Sequence, residues 1–278
     1  MASTAPVIEA ESLRRVYRTT TGIVRRKPLE VEAVRGISFR VEPGELFGLL
    51  GPNGAGKTTT IKMLITLLIP TAGSASVLGY DVVKDPREVR QRIGYVFGGE
   101  RGVYERLSGY DNLRYFAELY GVPPKVQKPR IEELLELVGL KGREHERTEG
   151  YSRGMKQRLH VARGLLHDPE VVFLDEPTIG LDPVGARELR ATIRSLADAG
   201  KTVLLTTTVR RLPSCQASAT DFTASRRALS SMLPSGRDGV PTQRKTTADG
   251  PIASFIVSTT ENRFSRRTFR NAASIPFS

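Results

Sequence analysis

Two short runs of this chain hold residue types and spacings suited to phosphate chemistry. Gly51-Pro52-Asn53-Gly54-Ala55-Gly56-Lys57-Thr58 fits the pattern Gly-x-x-x-x-Gly-Lys-Thr. A polyphosphate carries closely packed negative charge that side chains alone would crowd. Glycines let backbone N–H groups curl around it, and a helix starting beside Lys57 adds the positive end of its dipole. Lys57 can then reach the terminal phosphates, while the Thr58 hydroxyl can ligate Mg²⁺. The second run, Val171-Val172-Phe173-Leu174-Asp175-Glu176-Pro177, is apolar until it ends in two adjacent carboxylates. Asp175 suits a Mg²⁺ ion held through water, the part an acidic residue plays beside such a loop. Glu176, one residue on, points to the other side of the strand end, where it can polarise an attacking water.

The elements that must position these groups can be read around them. Val41 to Leu50 reads as a short buried strand entering the glycine turn, and Thr58 to Leu68 as a helix with Ile61, Leu64 and Leu68 on one side. A first strand spans Ile8 to Val16, and the polar, basic stretch Thr19 to Glu30 reads as a loop inserted before the next strand. From about Gly98 to Gly150 the pattern is helical. Ser108-Gly-Tyr-Asp111 has the form of a capping box, followed by Leu113, Phe116, Ala117 and Tyr120 on one apolar face. A second helix turns Ile131, Leu134, Leu135 and Val138 inward, and Arg143 to Glu149 is charged and turn-like. A third helix begins near Ser152, with Met155, Leu159, Ala162 and Leu166 inward, and its N-terminus offers a second positive dipole end.

Between the two chemical runs lies Tyr151-Ser152-Arg153-Gly154-Met155-Lys156-Gln157-Arg158, and after the carboxylates comes Gly180-Leu181-Asp182-Pro183. With these four segments in this order, residues 5 to 207 resemble the ATP-binding subunits of ABC transporters. The resemblance makes them the P-loop, signature, acidic strand and D-loop. The family's usual signature is Leu-Ser-Gly-Gly-Gln; here Tyr151, Arg153 and Met155 replace three of its residues, while Ser152 and Gly154 are kept. It implies an α/β fold, a P-loop NTPase core with an antiparallel β subdomain and an inserted helical subdomain. The core takes residues 1–97 and 151–208, and the helical subdomain 98–150. It implies ATP and Mg²⁺ as ligands. Gly51, Pro52, Asn53, Gly54, Ala55, Gly56, Lys57, Thr58 and Thr59 would meet the nucleotide, with Tyr17 stacked on adenine. Thr58 and Asp175 would hold the metal, and Glu176 would act on water. Ser152, Gly154 and Asp182 would serve a nucleotide held by a facing subunit.

Two residues that the family carries are absent. Where a Gln that ligates Mg²⁺ should follow Ile93-Gly94-Tyr95-Val96-Phe97, the chain reads Gly98-Gly99-Glu100; Glu100 offers an oxygen, as an anion and from a displaced position. The strand Thr202 to Thr207 should end in a His that contacts the γ-phosphate, and Thr208 stands there. The three histidines, His145, His160 and His167, read as surface or helix-end residues. Beyond Val209 the character changes. Residues 209–278 hold 4 acidic and 11 basic residues, against 26 and 31 in residues 1–208, and Ser and Thr fill 19 of those 70 positions. Ile252 to Val257 is the one strand-like run there. This atypical basic tail reads as disordered or frame-shifted, the change falling where the family pattern stops; a divergent tail and a functional basic arm are the other readings.

Composition bounds the rest. A hydrophobic content of 39% suffices for a core. No apolar stretch approaches the roughly 18 residues of a membrane helix; Ile61 to Ile69 is short, carries Lys62 and stops at Pro70. Met1 to Pro6 shows no signal-peptide pattern, and the single Cys215 suits a reducing cytosol. The reading is an ATP-binding and ATP-hydrolysing subunit that powers an ABC-type exporter. Its place is the cytoplasm, peripheral at the cytoplasmic face of the membrane. Its partners are a membrane permease on another chain and a second ATPase subunit, identical or not, with no nucleic acid. Thr208 for His predicts impaired turnover. A non-catalytic nucleotide-binding remnant and a soluble, non-transport ABC ATPase are the alternatives.

Overall fold

The computed structural model describes residues 5–21, 27–98, 102–208 and 255–259. Two sheets share the work. The first is antiparallel: β1 (Ile8–Thr21), β2 (Lys27–Val41), β4 (Ala72–Val77) and β5 (Tyr80–Asp81), in the order β2-β1-β4-β5. The second contains β6 (Ile93–Phe97), β7 (Val171–Asp175), β8 (Thr202–Thr208), β3 (Leu46–Gly51) and β9 (Phe255–Thr259), in the order β6-β7-β8-β3-β9. β6, β7, β8 and β3 run parallel, and β9 lies antiparallel on β3.

The parallel strands are nearly all apolar because both faces are covered. Alternation sorts their side chains. Val172, Leu174, Val203 and Leu205 face a core shared with α3 (Gly109–Leu119), α4 (Pro124–Leu137), α5 (Arg153–Gly164) and α6 (Pro183–Asp198). Val171, Phe173 and Leu204 face another, shared with α1 (Lys57–Leu64), α2 (Pro86–Arg92) and the antiparallel sheet. A buried side chain such as Phe173 or Leu113 contributes about 2 kcal/mol in removed apolar surface.

The helical insertion follows its sequence pattern closely. Ser108 caps α3, its hydroxyl accepting the Asp111 N–H at 3.0 Å and donating to Asp111 Oδ2 at 2.6 Å. Leu113, Ala117, Ile131, Leu134, Leu135, Val138, Met155, Leu159, Ala162 and Leu166 are all buried in one core, with Phe116 packed against it and Tyr120 left exposed.

Several sequence expectations are corrected. Thr19 to Glu30 is mostly not a loop: β1 and β2 continue their pairing through Arg18↔Glu30 to Thr21↔Lys27. Glu30 pairs across the strands with Arg18 at 2.9 Å, and Arg14 and Glu32 pair next to them at 2.6 Å. Val41 to Leu50 is not one strand, since a turn at Pro43-Gly44, with Gly44 at φ 72°, separates β2 from β3. The helix read to Leu68 stops at Leu64, and Thr66 adopts φ 64° just beyond it. His160 is not a surface residue but a core one on α5; His145 is exposed and His167 half-buried. In the basic tail, β9 begins three residues later than the strand-like run at Ile252. The other tail positions, with Cys215, and the positions of Gly99 and Glu100 lie outside the described residues.

Candidate functional site

β3 leads straight into the glycine run, and α1 leaves from it. Gly54 and Gly56 hold φ 82° and 81°, a region L residues avoid. At Gly56 the close approach is decisive as well: a Cβ would lie 2.3 Å from the Ala33 carbonyl oxygen of β2. Gly56 N-caps α1 without any side-chain hydrogen bond, so no side chain competes for the amides of its first turn. Lys57 is buried and curls back over the loop, its Nζ donating to Gly51 O at 3.0 Å and Pro52 O at 3.1 Å.

The same contact between Gly56 and Ala33 seats the β1–β2 hairpin against the loop. Tyr17 pairs with Val31, two residues before Ala33. The Arg15 guanidinium lies over the Tyr17 ring, 4.9 Å from its centroid.

β7 brings its carboxylates to the same end of the sheet. Asp175 is buried, and its Oδ1 accepts the Thr206 hydroxyl proton at 2.6 Å. Glu176 leaves the strand at φ 48°, and its N–H donates to Thr206 Oγ1 at 2.9 Å. Its carboxylate forms an ion pair with Lys57 Nζ at 3.3 Å. Thr208, at the end of β8, joins this group: its hydroxyl contacts Glu176 Oε1, lies 3.0 Å from Asn53 Oδ1 and 3.3 Å from Lys57 Nζ. Having one proton, it serves one of the two acceptors at a time. Thr58, Lys62, Phe97, Gly98, Asp175, Glu176 and Ile179 line a cleft of about 310 Å³.

The structure therefore brings together Asn53, Lys57, Thr58, Asp175 and Glu176, which were expected together, and adds Thr206 and Thr208. It does not bring Ser152, Gly154 or Asp182 into this cleft. Ser152 N-caps α5, accepting the Met155 N–H at 3.2 Å, and Asp182 N-caps α6 through the Val184 and Gly185 N–H groups. Gly154 sits where a Cβ would come within 3.4 Å of Gly185 Cα, at the α5–α6 contact. Tyr151 is buried, its hydroxyl donating to Arg143 O at 2.6 Å. Thr206 escaped the sequence reading because its partners lie thirty and thirty-one residues away. The available signal was a hydroxyl side chain in a strand with no exposed face.

A glycine loop without a side-chain cap, a lysine folded over it and a carboxylate sharing a cleft with Thr58 define a P-loop nucleoside triphosphatase. The donor set fits a phosphate chain accompanied by a hard, oxygen-seeking cation. Comparison with known proteins takes the assignment further. Residues 34–179 match the family model described as "ABC transporter". The chain is 45% identical over 189 residues to the ABC transporter ATP-binding protein NatA of Bacillus subtilis, covering 67% of this chain and 77% of that protein. It is 46% identical over 176 residues to the daunorubicin resistance ATP-binding protein DrrA3 of Streptomyces coeruleorubidus, covering 63% of this chain and 55% of that one. Among solved structures, cbiO1 of Clostridium perfringens, part of the cbiONQ transporter complex, superposes with a TM-score of 0.63 at 25% identity, over 73% of this chain and 79% of that one. The chain belongs to the ABC transporter family, as an ATP-binding subunit and an ATPase of the P-loop class. Among the described residues, no helix is long and apolar enough to cross a membrane.

Proposed function

We propose that this chain powers a membrane exporter by binding and hydrolysing Mg·ATP, and that it does so slowly. The observation that carries this reading is the cleft shared by Thr58, Asp175 and Glu176, with Lys57 ion-paired to Glu176 beside it. The loop amides of residues 51–59 and Lys57 bind the phosphates, and Tyr17 presents the ring face away from Arg15 to adenine. Thr58 and Asp175 hold Mg²⁺. The ion supplies charge neutralisation along the phosphate chain. Glu176 orients and takes a proton from the attacking water once Lys57 has turned from it to the phosphates.

Thr208 is the reason for slow turnover. Its hydroxyl reaches Glu176 and Asn53 but lacks the imidazole that would reach both the γ-phosphate and the water. A positioned polar group of that kind contributes about 10²–10⁴-fold to rate. The same contact favours a second reading, a nucleotide-binding subunit without useful turnover, because Thr208 and Lys57 together hold Glu176 in place.

Ser152, exposed at the start of α5, supports pairing with a second ATPase subunit, whose nucleotide would meet Ser152 and the backbone at Gly154, with Asp182 at the same junction. Exposed Tyr104, Tyr115, Leu119 and Tyr120, with Tyr104 and Tyr115 edge to face at 5.1 Å, offer a surface for a membrane permease carried on another chain. On this reading the protein works at the cytoplasmic face of the membrane. Drug-resistance relatives such as DrrA3 support the exporter branch. A steady-state ATPase assay tests the proposal: turnover well below one per second is expected, with a partial gain in Thr208→His. Turnover near one per second in the unaltered chain would overturn the role given to position 208.

A further inference from the structure

Thr206 is completely buried at the heart of the parallel sheet, yet both halves of its hydroxyl are used at the site. The proton goes to Asp175 Oδ1 at 2.6 Å, and the oxygen accepts the Glu176 N–H at 2.9 Å. One side chain on β8 thus fixes two consecutive groups at the end of β7. The first contact sets the rotation of the Asp175 carboxylate, leaving a defined direction toward the cleft it shares with Thr58. The second ties down a non-glycine residue at φ 48°, a conformation that persists only where its surroundings impose it. A further constraint comes from the opposite side. The Gly98 N–H donates to Asp175 O at 2.7 Å, and a Cβ at Gly98 would lie 2.4 Å from Glu176 O. The turn is gripped by Gly98, just beyond β6, on one side and by Thr206 on the other.

We propose that Thr206 is a positioning residue for the metal carboxylate, orienting Asp175 toward Mg²⁺ while fixing the backbone from which Glu176 projects. This rests on the reading of Asp175 as a metal ligand. Outer partners of ligating carboxylates commonly change metal affinity by about 10–100-fold.

The test compares ATP affinity in Mg²⁺ and in EDTA by isothermal titration, for the full chain and for Thr206→Val, Thr206→Ser and Asp175→Asn. Valine keeps the shape of threonine and loses the hydroxyl. The expected result is that T206V keeps its EDTA affinity within about twofold, while the strengthening by Mg²⁺ falls about tenfold. T206S, which restores the hydroxyl, retains the strengthening. T206V binding with unchanged Mg²⁺ dependence while D175N loses it would overturn the assignment of Thr206 alone. D175N with unchanged Mg²⁺ dependence would overturn the metal reading and this inference with it. Equal loss in EDTA and in Mg²⁺, or a T206S chain that behaves as T206V, would reduce Thr206 to a packing residue and overturn the proposal.

Discussion

The helices α1 and α5 both begin with a small residue ahead of a basic turn, and they solve the same problem in opposite ways. A helix start leaves several N–H groups without partners. At α5, Ser152 meets that need from within the chain, accepting the Met155 N–H at 3.2 Å. At α1, Gly56 brings no side chain to the task and adopts φ 81° against Ala33. One start meets part of its need from within the chain; the other brings no side chain to it at all. The difference separates a helix start capped by its own side chain from one left uncapped, although both look like helix beginnings in the sequence.

The largest test of that contrast is Lys57→Ala. It removes the cation that folds over the uncapped loop, and Mg·ATP binding should fall by more than about a hundredfold. Titration calorimetry giving equal affinities would show that the α1 start is not a phosphate cradle. Next comes assembly. With Glu176→Gln to suppress turnover, saturating ATP should convert monomer to dimer in light scattering, because the α5 start then gains its acceptor from the facing subunit. A monomer at all ATP concentrations would leave α5 with a purely internal role.

The third test uses His160, inside α5. Burial holds its pKa at about 4, with the Arg163 charge acting in the same direction, against 6.5 for the free side chain. The sign follows from proton counts. Between pH 6.5 and 4 the unfolded chain binds this proton and the folded chain does not, so stability falls as pH falls through that window. The full effect is on the order of 3 kcal/mol. Urea denaturation of His160→Gln, a neutral replacement, should show a shallower loss from pH 6.5 to 4; parallel curves would remove His160 from the account. The smallest effect belongs to Ser152→Ala. Losing this cap should cost about 1 kcal/mol, with ATP affinity of the monomer unchanged. A drop in monomer affinity would blur the distinction between the two helix starts.

What the sequence disclosed followed the range of the interactions concerned. The P-loop was legible because its glycines, Lys57 and Thr58 act within eight consecutive residues. The capped α3 was legible for the same reason, Ser108 reaching only to Asp111. The acidic strand end was legible as a pattern, but its wiring was not, since Thr206 and Thr208 meet Asp175 and Glu176 across a sheet. The extended hairpin was missed because the polar stretch from Thr19 to Glu30 reads as loop until its ends are paired across the strands, Arg18 with Glu30 among them. His160 was missed because an imidazole in a helix gives no sign of its depth, and its Nε2 has no partner among the described residues.

The two cores meet on a single wall, and β7 lies between β6 and β8 in it with every residue buried. Val171 and Phe173 belong to one core, Val172 and Leu174 to the other. Local opening of a protein runs along units with few buried contacts, and the last backbone amides to exchange with solvent are those covered from all sides. The helical insertion can therefore loosen, or the antiparallel sheet can peel, while β7 remains protected by whichever side is still packed. Asp175 closes a strand covered from both faces and Glu176 follows it directly, so both carboxylates are anchored to well-packed backbone and not to a loop.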